Sequence, residues 1–337
     1  MSEPRSSKSP SIAVFGCKAT TWTLLRDIRL PAPVSHLVTI DPEQGARHEV
    51  ADYLDLKPLV EPMGIQVYQA RSYSLKNVDD QAFLGSLRMD IAFVIGWQRL
   101  VPTEVLGSLR IGAFGMHGSA MDLPRGRGRS PMNWALIEGH DVFYTNLFRY
   151  DPGVDSGDVA DTIKFSIGPR DTAETLHFKN TLAMKHLIER NIEGLLRGDL
   201  ALKPQDDSVK PTYYPKRSPQ DGLIDLGQDA RTLDRFIRAV TKPFSGAFLF
   251  YRGSRITILD AQVFDLNEFG FETLAVGTVA MLLGERKFLL KCIGGLLLVN
   301  AWEAGFEVQA GMVLDSNGQE PRAFPRNRSG GFDLEQP

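Results

Sequence analysis

Residues 90–96 read DIAFVIG: an aspartate, an unbroken apolar run from Ile91 to Ile95, and a closing Gly96. The run is too short for a typical buried helix and lacks the alternation of a half-exposed strand. It fits a parallel strand covered on both faces. Residues 11–16 (SIAVFG) repeat the pattern and again end in glycine, and residues 34–40 (VSHLVTI) and 65–68 read as further strands. The intervening segments 20–29, 43–57 and 78–87 have helical spacing, the second stopping at Pro58. Strands alternating with helices predict βαβ units, hence an α/β chain with a doubly wound parallel sheet.

Further along, residues 172–197 read as one long helix, with Leu176, Leu182, Leu187, Ile188 and Leu195 at helical spacing and Gly198 to close it. The polar, proline-containing stretch that follows reads as a linker. Beyond it come a helix at 230–240 and five short strands, at 247–251, 255–264, 277–283, 287–292 and 295–299. Close spacing with glycine turns suggests a small barrel. The expected division is a catalytic domain at 11–203, a linker at 204–218 and a smaller β-rich domain at 219–316, with an irregular tail from Asn317.

The bulk composition narrows the function. A chain of 337 residues with 43% hydrophobic and 23% charged residues is ordinary for a globular protein. A net charge of −3 supplies no basic field for nucleic acid, so no nucleic-acid partner is expected. Two distant cysteines, Cys17 and Cys292, fit a reducing compartment. The polar residues 1–10 carry no secretory apolar core, and no run approaches the ~20 residues that span a bilayer. A cytoplasmic location without membrane contact is expected. No metal-ligand spacing is present, so no metal is expected.

Chemistry concentrates between residues 111 and 158 (IGAFGMHGSAMDLPRGRGRSPMNWALIEGHDVFYTNLFRYDPGVDSGD). In open α/β sheets ligands sit beyond the carboxyl ends of strands. His117 lies on an apolar strand there, ahead of a Gly/Pro/Arg loop. An imidazole titrates near neutrality, and a carboxylate such as Asp155 can orient it or hold a water. By residue type alone, a strand histidine and an Asp-x-Gly-Asp turn are as readily structural. Arg125, Arg127 and Arg129 form the concentrated basic cluster, read either as a phosphate reader or as a solvated loop. The G-x-G-x-x-G fingerprint is absent after the first strand, which argues against a nicotinamide dinucleotide.

The same segment resembles the signature of the N10-formyltetrahydrofolate-dependent formyltransferases, which include methionyl-tRNA formyltransferase and the sugar N-formyltransferases. Those carry Asn-x-His-x-Ser, a Leu-Pro with an Arg-Gly loop, a Pro and an Ala-Leu, then Asp-x-Gly-Asp. The matching residues are His117 and Ser119, Leu123 and Pro124, Arg127 and Gly128, Pro131, Ala135 and Leu136, and the run Asp155-Ser156-Gly157-Asp158. Residues 213–224 and 237–247 resemble the entry to the family's C-terminal domain, so the likeness covers about residues 11–315.

The resemblance implies a Rossmann-like catalytic domain and an OB-like C-terminal barrel. It also implies formyl transfer from N10-formyltetrahydrofolate to an amine. His117 and Asp155 would be catalytic, and the pterin would lie against Gly96, Trp97, Leu100, Val154 and Asp158. Ser119, Arg125, Arg127, Arg129 and Asn133 would face the acceptor. Arg129 and the Asn133-Trp134 pair lean toward the amino-sugar branch, which implies a nucleotide-linked sugar as acceptor and a homodimer. The alternatives are methionyl-tRNA formylation, or a one-carbon or folate-binding protein with altered or lost catalysis. The last of these is suggested by the family's catalytic asparagine falling on Gly115. Losing one oxyanion donor typically costs about 10²–10³ in rate. Asn146, aligned with the family's usual threonine, is the expected replacement, and Asn133 is the second candidate.

Overall fold

The computed structural model describes residues 9–284, 286–327 and 331–332; the expectation for residues 1–8 lies outside them. Five strands, β1 (Ile12–Phe15), β2 (Val34–Thr39), β3 (Gln66–Gln69), β4 (Ile91–Val94) and β5 (Gly112–Ser119), run parallel. The two-residue β6 (Arg127–Gly128) stands apart, and β7 (Val142–Arg149) and β8 (Val159–Ser166) add to the first sheet in antiparallel sense. The strand order is β3-β2-β1-β4-β5-β7-β8, which reverses direction between β1 and β4. All four residues of β1 and all four of β4 are buried, which is why both read as continuous apolar runs.

Helices α1 (Ala19–Asp27), α2 (Pro42–Arg47), α3 (Lys57–Val60), α4 (Val78–Ser86), α5 (Thr103–Gly107), α6 (Pro131–Ile137) and α7 (Ala173–Arg197) surround this sheet. On one face Ile12, Val14, Ile91, Phe93 and Phe114 pack with Leu187 and Ile188 of α7. On the other, Ala13, Phe15, Ala92, Val94 and Ala113 pack with Tyr73, Leu84 and Val105. Each valine, leucine, isoleucine or phenylalanine among them contributes about 1.5–3 kcal/mol by leaving water. α7 is capped by the Thr172 hydroxyl, which accepts from the Thr175 N–H, and ends at Gly198 with φ +74°. None of the helices among the described residues is long and apolar enough to cross a membrane.

The helix read over 43–57 is not continuous. α2 stops at Arg47, Glu49 and Asp52 take left-handed backbone (φ +47° and +61°), and Tyr53 bridges to Lys18. Pro58 falls in the first turn of α3, so it opens a helix where the reading had it close one.

After the two-residue β9 (Tyr213–Tyr214), which pairs with β6, comes α8 (Ala230–Val240). It packs against a five-stranded antiparallel sheet of β10 (Ala247–Tyr251), β11 (Ser254–Asp265), β12 (Val279–Leu283), β13 (Lys287–Cys292) and β14 (Gly295–Ala304), ordered β10-β11-β14-β13-β12. Bridges from Phe250 to Asp315 and from Thr278 to Val313 tie both sides of this sheet through one segment, giving the barrel-like closure. β14 runs past Val299 because its second half alternates between half-buried and exposed residues, a pattern hidden by the polar Asn300. Residues 318–327 and 331–332 are irregular yet packed: the rings of Phe324 and Phe332 lie 4.9 and 4.5 Å from that of Trp134. Ala135 and Leu136 of α6 share one core with Leu233 and Ile237 of α8 and with the barrel.

Candidate active site

Strand register aligns three polar side chains. His117 on β5 lies opposite Asn146 on β7, and Asn146 lies opposite Thr162 on β8. Residues directly opposite one another share a sheet face, so imidazole, amide and hydroxyl form one row. His117 is 6% exposed and Asn146 fully buried. The Thr162 hydroxyl donates to Asn146 Oδ1 at 2.6 Å, while Asn146 Nδ2 is buried with no acceptor. A buried donor left unmet costs about 1–3 kcal/mol, so this amide is a feature needing a chemical explanation.

Asp155 reaches the row from the turn that follows β7. Its Oδ2 lies 3.3 Å from His117 Nδ1 and accepts from the Gly128 N–H, also at 3.3 Å. His117 Nε2 lies 2.7 Å from the carbonyl oxygen of Gly126. A carbonyl only accepts, so Nε2 carries a proton and Nδ1 is the nitrogen turned to the carboxylate. The tripeptide 126–128 thus touches both partners. Its close approach requires glycine: at Gly126, with φ +70°, a Cβ would fall 2.1 Å from Ser119 Oγ.

Gly115 precedes His117 by two residues on the same face. A Cβ there would fall 1.9 Å from Cε2 of Tyr150, so the phenol ring fills the space a side chain at 115 would take. The ring stacks on Phe148 at 5.4 Å, and burial together with the Asp155 charge raises the phenol well above its ordinary value. No pattern in the sequence marks Tyr150, because its role comes from register across β5 and β7.

The other expected residues are dispersed. Arg125 is exposed; Arg127 is 6% exposed and turned inward; Arg129 is partly buried. Ser119 is fully buried, its Oγ accepting from the Met121 N–H. The Asn133 amide donates to the Ala239 carbonyl at 2.7 Å, joining α6 to α8. Trp97 is packed between Phe15 and Tyr73, with its Nε1 buried and unpartnered. Gly96 has φ +74°, and Leu100 is 50% exposed.

Where the strand order reverses, Lys18 follows β1 and Arg99 follows β4. The Arg99 guanidinium lies 5.1 Å over the Tyr73 ring. Burial, and then the Arg99 charge, hold Arg129 below the ordinary arginine value; burial likewise lowers Lys18, against the pull of Asp52. Three cations therefore converge on the crevice that doubly wound sheets use for ligands. Lys18 and Arg99 carry no local sequence signal, since topology alone unites them. A separate cleft of about 440 Å³ lies between α5 and the aspartate turn, lined by Thr103, Leu106, Ala113, Tyr150, Ser156 and Asp158. Its size is that of a small-molecule site.

Residues 14–190 match the family described as "Formyl transferase", and residues 216–307 match "Formyl transferase, C-terminal domain". Among solved structures, the N-formyltransferase of Helicobacter canadensis, in complex with folinic acid and dTDP-3-aminofucose, is 16% identical. The match covers 87% of this chain and 99% of that one, with a TM-score of 0.59. HypX of Aquifex aeolicus in complex with tetrahydrofolic acid is 16% identical over 88% of this chain and 44% of that one, with a TM-score of 0.58. Methionyl-tRNA formyltransferase of Clostridium thermocellum is 16% identical over 75% of this chain and 93% of that one, with a TM-score of 0.52. At these identities the likeness to solved structures is one of fold.

Proposed function

The chain belongs to the formyl transferase family, and on that premise we propose that it transfers a formyl group from N10-formyltetrahydrofolate to the amino group of a nucleotide-linked amino sugar. The observation that carries this reading is the convergence of His117, Asp155 and the unpartnered amide of Asn146 on one face of the sheet. Folate-derived ligands in the H. canadensis and A. aeolicus structures support the donor class. The pterin would lie near Gly96–Leu100 and the 154–158 turn, with the cleft beside Asp158 as its extension. The cations Lys18, Arg99 and Arg129 support an acceptor that carries phosphate, as does the dTDP-sugar bound by the H. canadensis relative.

The reaction divides between the two parts of the row. The acceptor amine attacks the formyl carbon, forming a C–N bond and leaving negative charge on the formyl oxygen. Asn146 Nδ2 is a donor free to meet that charge, whereas both His117 nitrogens are engaged, with Gly126 and Asp155. The proton lost by the amine passes to the His117–Asp155 pair. It then goes to N10 as the N10–C bond breaks, regenerating the carbonyl and releasing tetrahydrofolate.

The test is formyl transfer measured with N10-formyltetrahydrofolate against a panel of nucleotide-linked amino sugars, with methionyl-tRNA as comparator. We expect formylated sugar, and a loss of at least about 10³ in kcat for His117→Ala. Turnover on methionyl-tRNA alone would overturn the acceptor class. Turnover indifferent to His117→Ala would overturn the catalytic assignment.

A further inference from the structure

Asp155 stands in left-handed backbone, φ +50°, a conformation that L-residues adopt reluctantly and that something must hold. The hold comes from outside the turn. Gln205 lies in the stretch that composition marks as linker. Its Nε2 donates to the carbonyl oxygens of both Asp155 and Gly157, each at 2.8 Å. Its Oε1 accepts from Arg127 Nη2 at 2.6 Å. All three hydrogen-bonding groups of that amide are therefore spent on this one contact region.

Arg127 is fixed in its turn. The Arg127 N–H donates to the Thr212 carbonyl at 2.9 Å, the Gly126 N–H donates to Thr212 Oγ1 at 2.9 Å, and β6 pairs with β9. The guanidinium is buried, with Nη1 3.5 Å from the Tyr213 hydroxyl. Residues on either side of Arg127 touch the catalytic pair directly: the Gly126 carbonyl meets His117, and the Gly128 N–H meets Asp155. One tripeptide and one linker glutamine thus contact the histidine, the carboxylate and the backbone of the aspartate turn.

We infer that Gln205 and Arg127 are positioning residues: they hold the strained Asp155 turn so that its carboxylate faces His117, tying the linker to the catalytic pair. Arg127 acts here as an internal strut, and the contacts with acceptor phosphate fall to Arg129 and its neighbours. The inference rests on the functional reading above for its kinetic consequence only.

The experiment compares Gln205→Ala, Gln205→Glu and Arg127→Lys in the full chain, by steady-state kinetics and by hydrogen exchange of the Gly128 N–H. Gln205→Glu keeps the shape and the contact with Arg127 but sets oxygens against two carbonyls. It should therefore behave as badly as Gln205→Ala, a result simple packing does not give. We expect kcat to fall about tenfold in both Gln205 variants with KM within twofold, the size of one lost hydrogen-bond pair. Gly128 exchange should rise about tenfold, and Arg127→Lys should move both readouts the same way by less. Wild-type kcat and exchange in Gln205→Glu would overturn the inference, as would a change confined to KM. A wild-type chain that formylates no amine would defeat the functional reading, and the exchange measurement would still decide this one.

Discussion

The candidate site is made of two kinds of structure. His117, Asn146 and Thr162 ride on three hydrogen-bonded strands, where ladder register sets their spacing and face. Asp155 rides on a turn, in left-handed backbone, held by a backbone N–H from a loop and a glutamine side chain from a linker. The sheet-borne half is rigid because shifting any one residue breaks a ladder. The turn-borne half is only as fixed as the groups that brace it. Sites often combine these, since chemistry needs donors that do not move and a proton-handling group that can adjust. Removing a reacting group of the sheet half should therefore cost rate steeply. Removing a brace, in either half, should cost less and be graded.

After His117, the steepest effect falls on Asn146. Asn146→Ala removes the one buried amide donor of the row that has no acceptor. We expect kcat to drop about 10²–10³, the ordinary toll for an oxyanion donor, with little change in KM. Folding stability should change little, because losing the unmet buried donor offsets losing the hydrogen bond from the Thr162 hydroxyl. A variant that keeps wild-type kcat would assign the oxyanion to another group and break the comparison.

Next comes Gly115→Ala. The new methyl would overlap the Tyr150 ring, which must swing off Phe148 to admit it. Overpacking of this kind costs about 1–3 kcal/mol, readable as a lowered urea midpoint. Because the two residues compete for one space, adding Tyr150→Ala should restore part of the loss, a departure from additivity that a double-mutant cycle measures. Strict additivity would mean that the ring does not fill the space beside Gly115.

These residues also mark where sequence reading succeeds. The doubly wound sheet was legible because β1 and β4 are buried on both faces, which burial writes directly as apolar runs. The row of His117 and Asn146 was half legible: each residue stood out by type, but their opposition depends on the register of β5 against β7. Tyr150 and Gln205 were not legible at all. A tyrosine at a strand end and a glutamine in a polar linker have ordinary local surroundings, and their roles arise from contacts 35 and 50 residues away in the chain, with Gly115 and Asp155. Arg127 is expected from the resemblance to face the acceptor, with a solvated loop as the alternative, whereas pairing with β9 turns it inward onto Gln205. The helix read over 43–57 failed for a related reason, since spacing does not register the left-handed residues Glu49 and Asp52.

The smallest expected effect is also the sharpest probe of the sheet half. Thr162 touches no reacting atom; its hydroxyl donates to Asn146 Oδ1 and so turns Nδ2 away from β8. Thr162→Val keeps shape and β-branching but removes that donor, leaving the amide free to rotate. The stability cost should be about 1 kcal/mol, that of one neutral hydrogen bond. The kinetic cost should be a few-fold fall in kcat at constant KM, because the Asn146 donor is still present but no longer aimed. Thr162→Ser should restore the rate, since it returns the hydroxyl while losing a methyl on a half-exposed strand. A valine variant as slow as Asn146→Ala would mean that aiming the amide matters as much as having it. An unchanged rate would mean that the ladder alone fixes Asn146, and rigidity in this half would then owe nothing to side-chain contacts along the row.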